Sequence, residues 1–146
     1  MDESSLRAVG WARSLPVRSS PKAARDWALG HLKTLDWTDS APQTVDDVLL
    51  TVSELVTNAH VHARSHAQLV MTWDGQCLHV AVHDASRELP TPRPPSGQRL
   101  GGRGMFLVDV LADSWEARPC PDGKTVIACF RPPAEDEAGT GAEDAR

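Results

Sequence analysis

The sequence predicts an α+β fold, a two-layer sandwich in which helices cover one face of a mixed, mostly antiparallel sheet. Three observations carry this expectation. A segment from Ser40 to Ala63 repeats apolar residues at helical spacing; the dipeptide Asp74-Gly75 joins two runs of strand character, 68–73 and 77–83; and an apolar helix at 105–112 runs into two further strands, 114–118 and 124–130.

Taken in order, the residues through Ser5 are polar, and Leu6 to Val17 mixes apolar and basic residues in the partial alternation of an edge strand around Trp11 and Leu15. Pro21 suits the first turn of a helix, where its fixed φ and missing N–H are tolerated, and Ser20 is its N-cap. That helix runs to about Leu35, with Ala24, Trp27, Ala28, His31 and Leu32 at helical spacing. Ser40 or the Ala41-Pro42 step opens the longest helix. Its apolar stripe is Val45, Val48, Leu49, Val52, Leu55, Val56 and Ala59, the pattern of a core-facing helix.

The Asp74-Gly75 step signals a hairpin, because glycine tolerates the positive φ of a tight turn. In its second strand Leu78, Val80 and Val82 alternate with Cys77, His79, Ala81 and His83, as expected when one face is buried and the other less so. From Ala85 to Leu100, Pro90, Pro92, Pro94, Pro95 and Gly97 interleave with Arg87, Arg93 and Arg99, which reads as a lid. Gly101-Gly-Arg-Gly104 then enters the apolar helix, and the turn Cys120-Pro-Asp-Gly123 joins the last two strands. Pro132 and Pro133 close a domain spanning 1–133, and the acidic tail 134–146, which lacks an apolar cluster, reads as disordered.

A chain of 146 residues suits one domain that buries a sizeable core without staples. The net charge of -5 and pI near 5.6 argue against a dedicated nucleic-acid binder, which displays a basic face. Cys77, Cys120 and Cys129 are odd in number and form no C-x-x-C pair, the usage of inert thiols in a reducing cytoplasm. No apolar run of a signal peptide or a membrane helix is visible, so the expectation is a cytoplasmic protein without membrane contact.

The chemistry gathers in four places. Glu54, Asn58 and His62 are spaced i, i+4, i+8 and would stack on one polar face beside the apolar stripe. For an isolated E-x-x-x-N a solvated helix edge is the commoner explanation. Asp84 ends a strand, a lid follows, and glycines open a helix whose unpaired N–H groups attract anions. A nucleotide explains the four together: Asn58 as a Mg²⁺ ligand through its carbonyl oxygen, Asp84 as acceptor from an adenine amino group, the glycines on phosphates, and Glu54 as the base for an attacking hydroxyl. His60, His62 and His66 tempt toward zinc but lack a further ligand of the usual type nearby. No G-x-S-x-G or cysteine–histidine signature supports a hydrolase.

These residues, in this order, resemble the GHKL (Bergerat-fold) ATPase superfamily, and most closely the bacterial anti-sigma-factor serine/threonine kinases, over roughly Trp11 to Phe130. Glu54-Leu-Val-Thr-Asn58 with His62 looks like the N-box, Asp84-Ala-Ser86 like the G1 box, Gly102-Arg-Gly104-Met105-Phe106 like the G2 box, and Gly123-Lys-Thr125 like the last ATP-contacting strand. The resemblance implies Mg-ATP as cofactor, Glu54 as catalytic base and Asn58 as metal ligand. It places Asp84 and Thr125 at the adenine end and Gly101, Gly102, Arg103, Gly104 and Met105 around the phosphates, and counts His62 and Ser86 among the nucleotide-binding residues. Two departures stand out: superfamily members commonly show D-x-G-x-G, and here Ser86 and Glu88 replace the glycines.

The implied partners are a sigma factor and an antagonist protein that is phosphorylated, with no direct nucleic acid; relatives often form homodimers. A regulatory module whose switch is ATP occupancy, without kinase activity, is the other reading. A phosphoacceptor histidine would need a dimerisation helix pair that this sequence does not show.

Overall fold

The computed structural model describes residues 8–88 and 100–133, with 100–104 as helical backbone alone. Most of the expected lid and the whole acidic tail lie outside the described residues. The elements are β1 (Val9–Leu15), α1 (Pro21–Leu32), a 3₁₀ turn (Thr38–Ser40), α2 (Pro42–Thr57) continuing as a π turn (Asn58–His62), β2 (Ala67–Trp73), β3 (Leu78–Asp84), α3 (Leu100–Leu111), β4 (Ser114–Cys120) and β5 (Gly123–Phe130).

Local chemistry sets most boundaries. Ser20 Oγ accepts from the Ala23 N–H at 3.1 Å and Pro21 begins α1, as expected. The helix stops at Leu32 rather than Leu35, because Thr38 Oγ1 donates to the carbonyls of Leu32 and Leu35 and folds the connector back. His31, read as one of the apolar positions, stacks on Trp11 and meets the edge of Trp27, with ring centroids 4.9 and 4.8 Å away. At the hairpin, Asp74 Oδ1 accepts from the N–H groups of Gln76 and Cys77, and Gly75 takes a φ of 94°.

The sheet order is β1-β2-β3-β5-β4, and every hydrogen-bonded pair is antiparallel. The expected two-layer α+β fold is present, but the sheet is antiparallel rather than mixed among the described residues. The reason lies in the connections. One helix, α3, joins β3 to β4, so these strands run in the same direction, yet β5 inserts between them and pairs with both. No parallel ladder forms among the described strands.

Strand alternation divides the sheet. Leu69, Met71, Leu78, Val80, Val82, Val126, Ala128 and Phe130 face the helices and are buried. Against them pack Ala24, Ala28 and Leu32 of α1, Val48, Val52 and Val56 of α2, and Met105 and Val108 of α3. Each large apolar side chain contributes about 1.5–3 kcal/mol on burial, so this layer holds α2 and α3 on the sheet. The opposite face carries Gln68, His79, Ala81, His83, Thr125 and Cys129, half-buried or exposed.

Candidate nucleotide site

Helix α2 ends where the chemistry begins. The Asn58 N–H still bonds the carbonyls of Glu54 and Leu55, but the Asn58 carbonyl accepts from Ala63, five residues on, at 3.1 Å. A π turn is a recurrent way for a helix to end. Glu54 and Asn58 are half-buried, and neither side chain has a hydrogen bond among the described residues. His62 is exposed, because the wider π turn breaks the i, i+4 stacking that would have carried it above Asn58.

The other two histidines have structural partners. His60 Nε2 lies 3.1 Å from the Leu15 carbonyl, and His66 Nδ1 accepts from the Val17 N–H at 3.0 Å, so both tie this segment to the end of β1. Among the described residues only Asp74, Cys77 and His79 bring metal-ligating atoms together, within 4.8 Å of one another. They sit at the opposite end of β3 from Asp84.

Asp84 is 4% exposed at the end of β3. Its Oδ1 accepts from the Ser86 N–H at 2.9 Å and from Lys124 Nζ at 3.0 Å. The register pairs Asp84 with Lys124, which puts both side chains on the helix-covered face. Gly123, with φ at 154°, lies so close that a Cβ there would stand 1.9 Å from the Asp84 carbonyl oxygen. The strand end is tied to the π turn through Ser65, whose Oγ accepts from the Ala85 N–H and whose N–H donates to the Ala59 carbonyl. Helix α3 packs on α2 and touches the π turn. Asn58 and Asp84 thus border one junction of α2, β3, β5 and α3.

Other expected positions fall differently. Thr125 faces away from Asp84, with Oγ1 3.2 Å from His83 Nδ1 and 3.5 Å from Cys120 Sγ. It is replaced at the Asp84 end by Lys124, because successive strand residues point to opposite faces. Ser86 contributes its backbone N–H to Asp84, while its hydroxyl accepts from the Glu88 N–H. Met105 is 2% exposed and belongs to the core, so only its main chain is available to a ligand. Helix α3 starts at Leu100, not after Gly104, so Gly101 and Gly102 lie in its first turn, where N–H groups have no intrahelical partner, while Arg103 and Gly104 continue the helix. The Arg103 side chain lies outside the described set. Two cations carry no role in the site expected from sequence: Lys124, quoted there only within Gly123-Lys-Thr125, and Arg25, whose Nη1 donates to Ser53 Oγ at 2.6 Å, one residue before Glu54. Strand parity could have found the first.

A cavity of about 240 Å³ between α1 and the start of α2, lined by Leu29, Leu32, Thr38, Pro42 and Val45, holds none of these residues.

Residues 18–130 match the family model described as a histidine kinase-like ATPase domain. The chain belongs to the histidine kinase-like ATPase family. No curated protein matches it. The matched span contains every residue of the junction, and ATP binding comes with membership of this ATPase family. The donor set of the ATPase domain fits the nucleotide: a buried carboxylate with an oxygen, Oδ2, that has no partner among the described residues, and a glycine-rich helix start offering N–H groups to phosphate. Asn58 offers one carbonyl oxygen, which suits an ion such as Mg²⁺ that keeps waters and phosphate oxygens as its other ligands. No helix among the described residues is long and apolar enough to cross a membrane.

Proposed function

We infer that this protein is a serine/threonine protein kinase of the anti-sigma-factor type, which binds Mg-ATP, phosphorylates an antagonist protein and thereby regulates the availability of a sigma factor. The observation that carries the reading is the buried Asp84 carboxylate set beside the end of the helix bearing Glu54 and Asn58. When bound, Mg-ATP supplies the phosphoryl group to be transferred, with the ion neutralising charge that develops on it.

The protein's own residues divide the remaining work. Asp84 orients the base, and the first turn of α3 presents N–H groups to the phosphates. Asn58 would hold the ion through its side-chain carbonyl oxygen. Glu54, half-buried and one turn before Asn58 on α2, accepts the proton of the incoming Ser or Thr hydroxyl. Phosphorylation would place charge on the antagonist's contact surface and release it, leaving the kinase to hold the sigma factor.

Glu54→Gln separates catalysis from binding. The expected result is Mg-ATP affinity within about 3-fold of wild type and phosphate transfer slowed by about 10²–10⁴-fold, read by calorimetry and by radiolabel transfer to the antagonist. Candidate antagonists and sigma factors come from pull-downs out of native cell extract with and without Mg-ATP. Wild-type protein that binds ATP and its partner but transfers nothing is instead a binding module switched by nucleotide occupancy.

A further inference from the structure

We propose that Lys124 reads the base: its Nζ donates to N1 of the adenine ring while the second oxygen of Asp84 accepts from the N6 amino group. This rests on the ATP-site reading and assigns to it a residue and a hydrogen-bond pattern.

Lysine is almost never buried unless paired. The Lys124 side chain is 10% exposed and that of Asp84 5%, in an ion pair of 3.0 Å. Such a pair is weak evidence of stabilisation, since desolvation offsets the attraction. Among the described residues it is also incompletely satisfied. An ammonium has three donors, and among the described residues Lys124 uses one, on Asp84 Oδ1. Oδ1 takes a second bond from the Ser86 N–H, while Oδ2 takes none among the described residues. A donor and an acceptor therefore stand side by side, anchored on adjacent strands β5 and β3 by the Asp84–Lys124 register.

The Watson–Crick edge of adenine presents the complement: an amino donor, N6, next to a ring acceptor, N1. Proteins read isolated bases by hydrogen bonds to this edge. Hypoxanthine reverses the pattern and would set N1–H against the ammonium and O6 against the carboxylate. A site built around buried polar groups rejects a ligand that leaves them unmatched. Lysine, a compact charge with rotatable donors, suits this position better than the broad fork of arginine.

The test uses calorimetric titration of Mg-ATP and of its 1-deaza analogue, in which C–H replaces N1 and N6 is kept. Wild-type protein should bind the analogue about 10- to 100-fold more weakly than ATP, the range for a hydrogen bond to a charged group. Lys124→Met should weaken ATP by a similar factor and no longer separate the two ligands. Equal affinity of wild type for both overturns the proposal, and so does a folded Lys124→Met variant that still separates them or binds ATP like wild type. The wild-type comparison needs no substitution, so it decides the matter even when the variant does not fold. Wild type that binds no ATP overturns the ATP-site reading together with the proposal; wild type that binds ATP without sensing N1 overturns the proposal alone.

Discussion

Lys124 and Thr125 are neighbours in the chain and serve opposite faces of β5. The resemblance of Gly123-Lys-Thr125 to an ATP-contacting strand pointed to Thr125, but a strand alternates its side chains, and one step along it exchanges faces. Which parity meets Asp84 is set by the pairing of β5 with β3, a contact between residues 40 positions apart that no local pattern encodes. Gly123 has the converse status. It was legible as a turn residue, yet its stricter duty, to let β5 pass the Asp84 carbonyl, appears only in three dimensions. Gly123→Ala should destabilise the fold by more than about 2 kcal/mol, since the added carbon meets backbone and the φ of 154° is costly for alanine. Denaturant unfolding checks this, and a variant as stable as wild type would contradict the close approach.

Helix α2 shows how far a periodic pattern can be trusted. Its apolar stripe is buried as expected, and the Glu54–Asn58 step keeps helical geometry, but His62 leaves the row because the helix widens at Asn58. The sequence around 58–62 contains no glycine or proline to mark that change. The β2–β3 hairpin is the opposite case, read correctly from Asp74-Gly75 because turn chemistry is local. The N–H groups of Cys77 and then Gln76 hold the Asp74 carboxyl below its ordinary 3.8; burial raises it less, and His79 adds a further lowering. Its folded value is thus depressed, so the stabilisation is complete above 3.8 and fades as pH falls from there through the lowered value. Asp74→Asn should therefore cost stability at neutral pH and match wild type at the acid end of that window. With the side chain 46% exposed, the difference is at most about 1 kcal/mol. Thermal melts between neutral and acid pH would reveal it; a gap that widens on acidification would refute the two turn N–H bonds as its cause.

Across the molecule, the junction draws on α2, β3, α3 and β5, so nucleotide should tie together elements that are distant in the chain. Ligand that binds only the folded state at 100 times its Kd adds about 2.7 kcal/mol, which for a chain of this size raises the melting temperature by about 5–10 °C. Asp84→Asn should remove most of that shift while Mg-ATP still stabilises wild type; a shift unaffected by the substitution would place the base elsewhere.

The helices, the hairpin, the Ser20 cap and the N-box helix were readable from residues in order, because apolar periodicity and turn chemistry act over a few positions. Strand order, the insertion of β5 between β3 and β4, and the meeting of Asp84 with Lys124 were not. They arise when burying the apolar faces of all the elements at once selects one register, and that selection belongs to the folded chain as a whole.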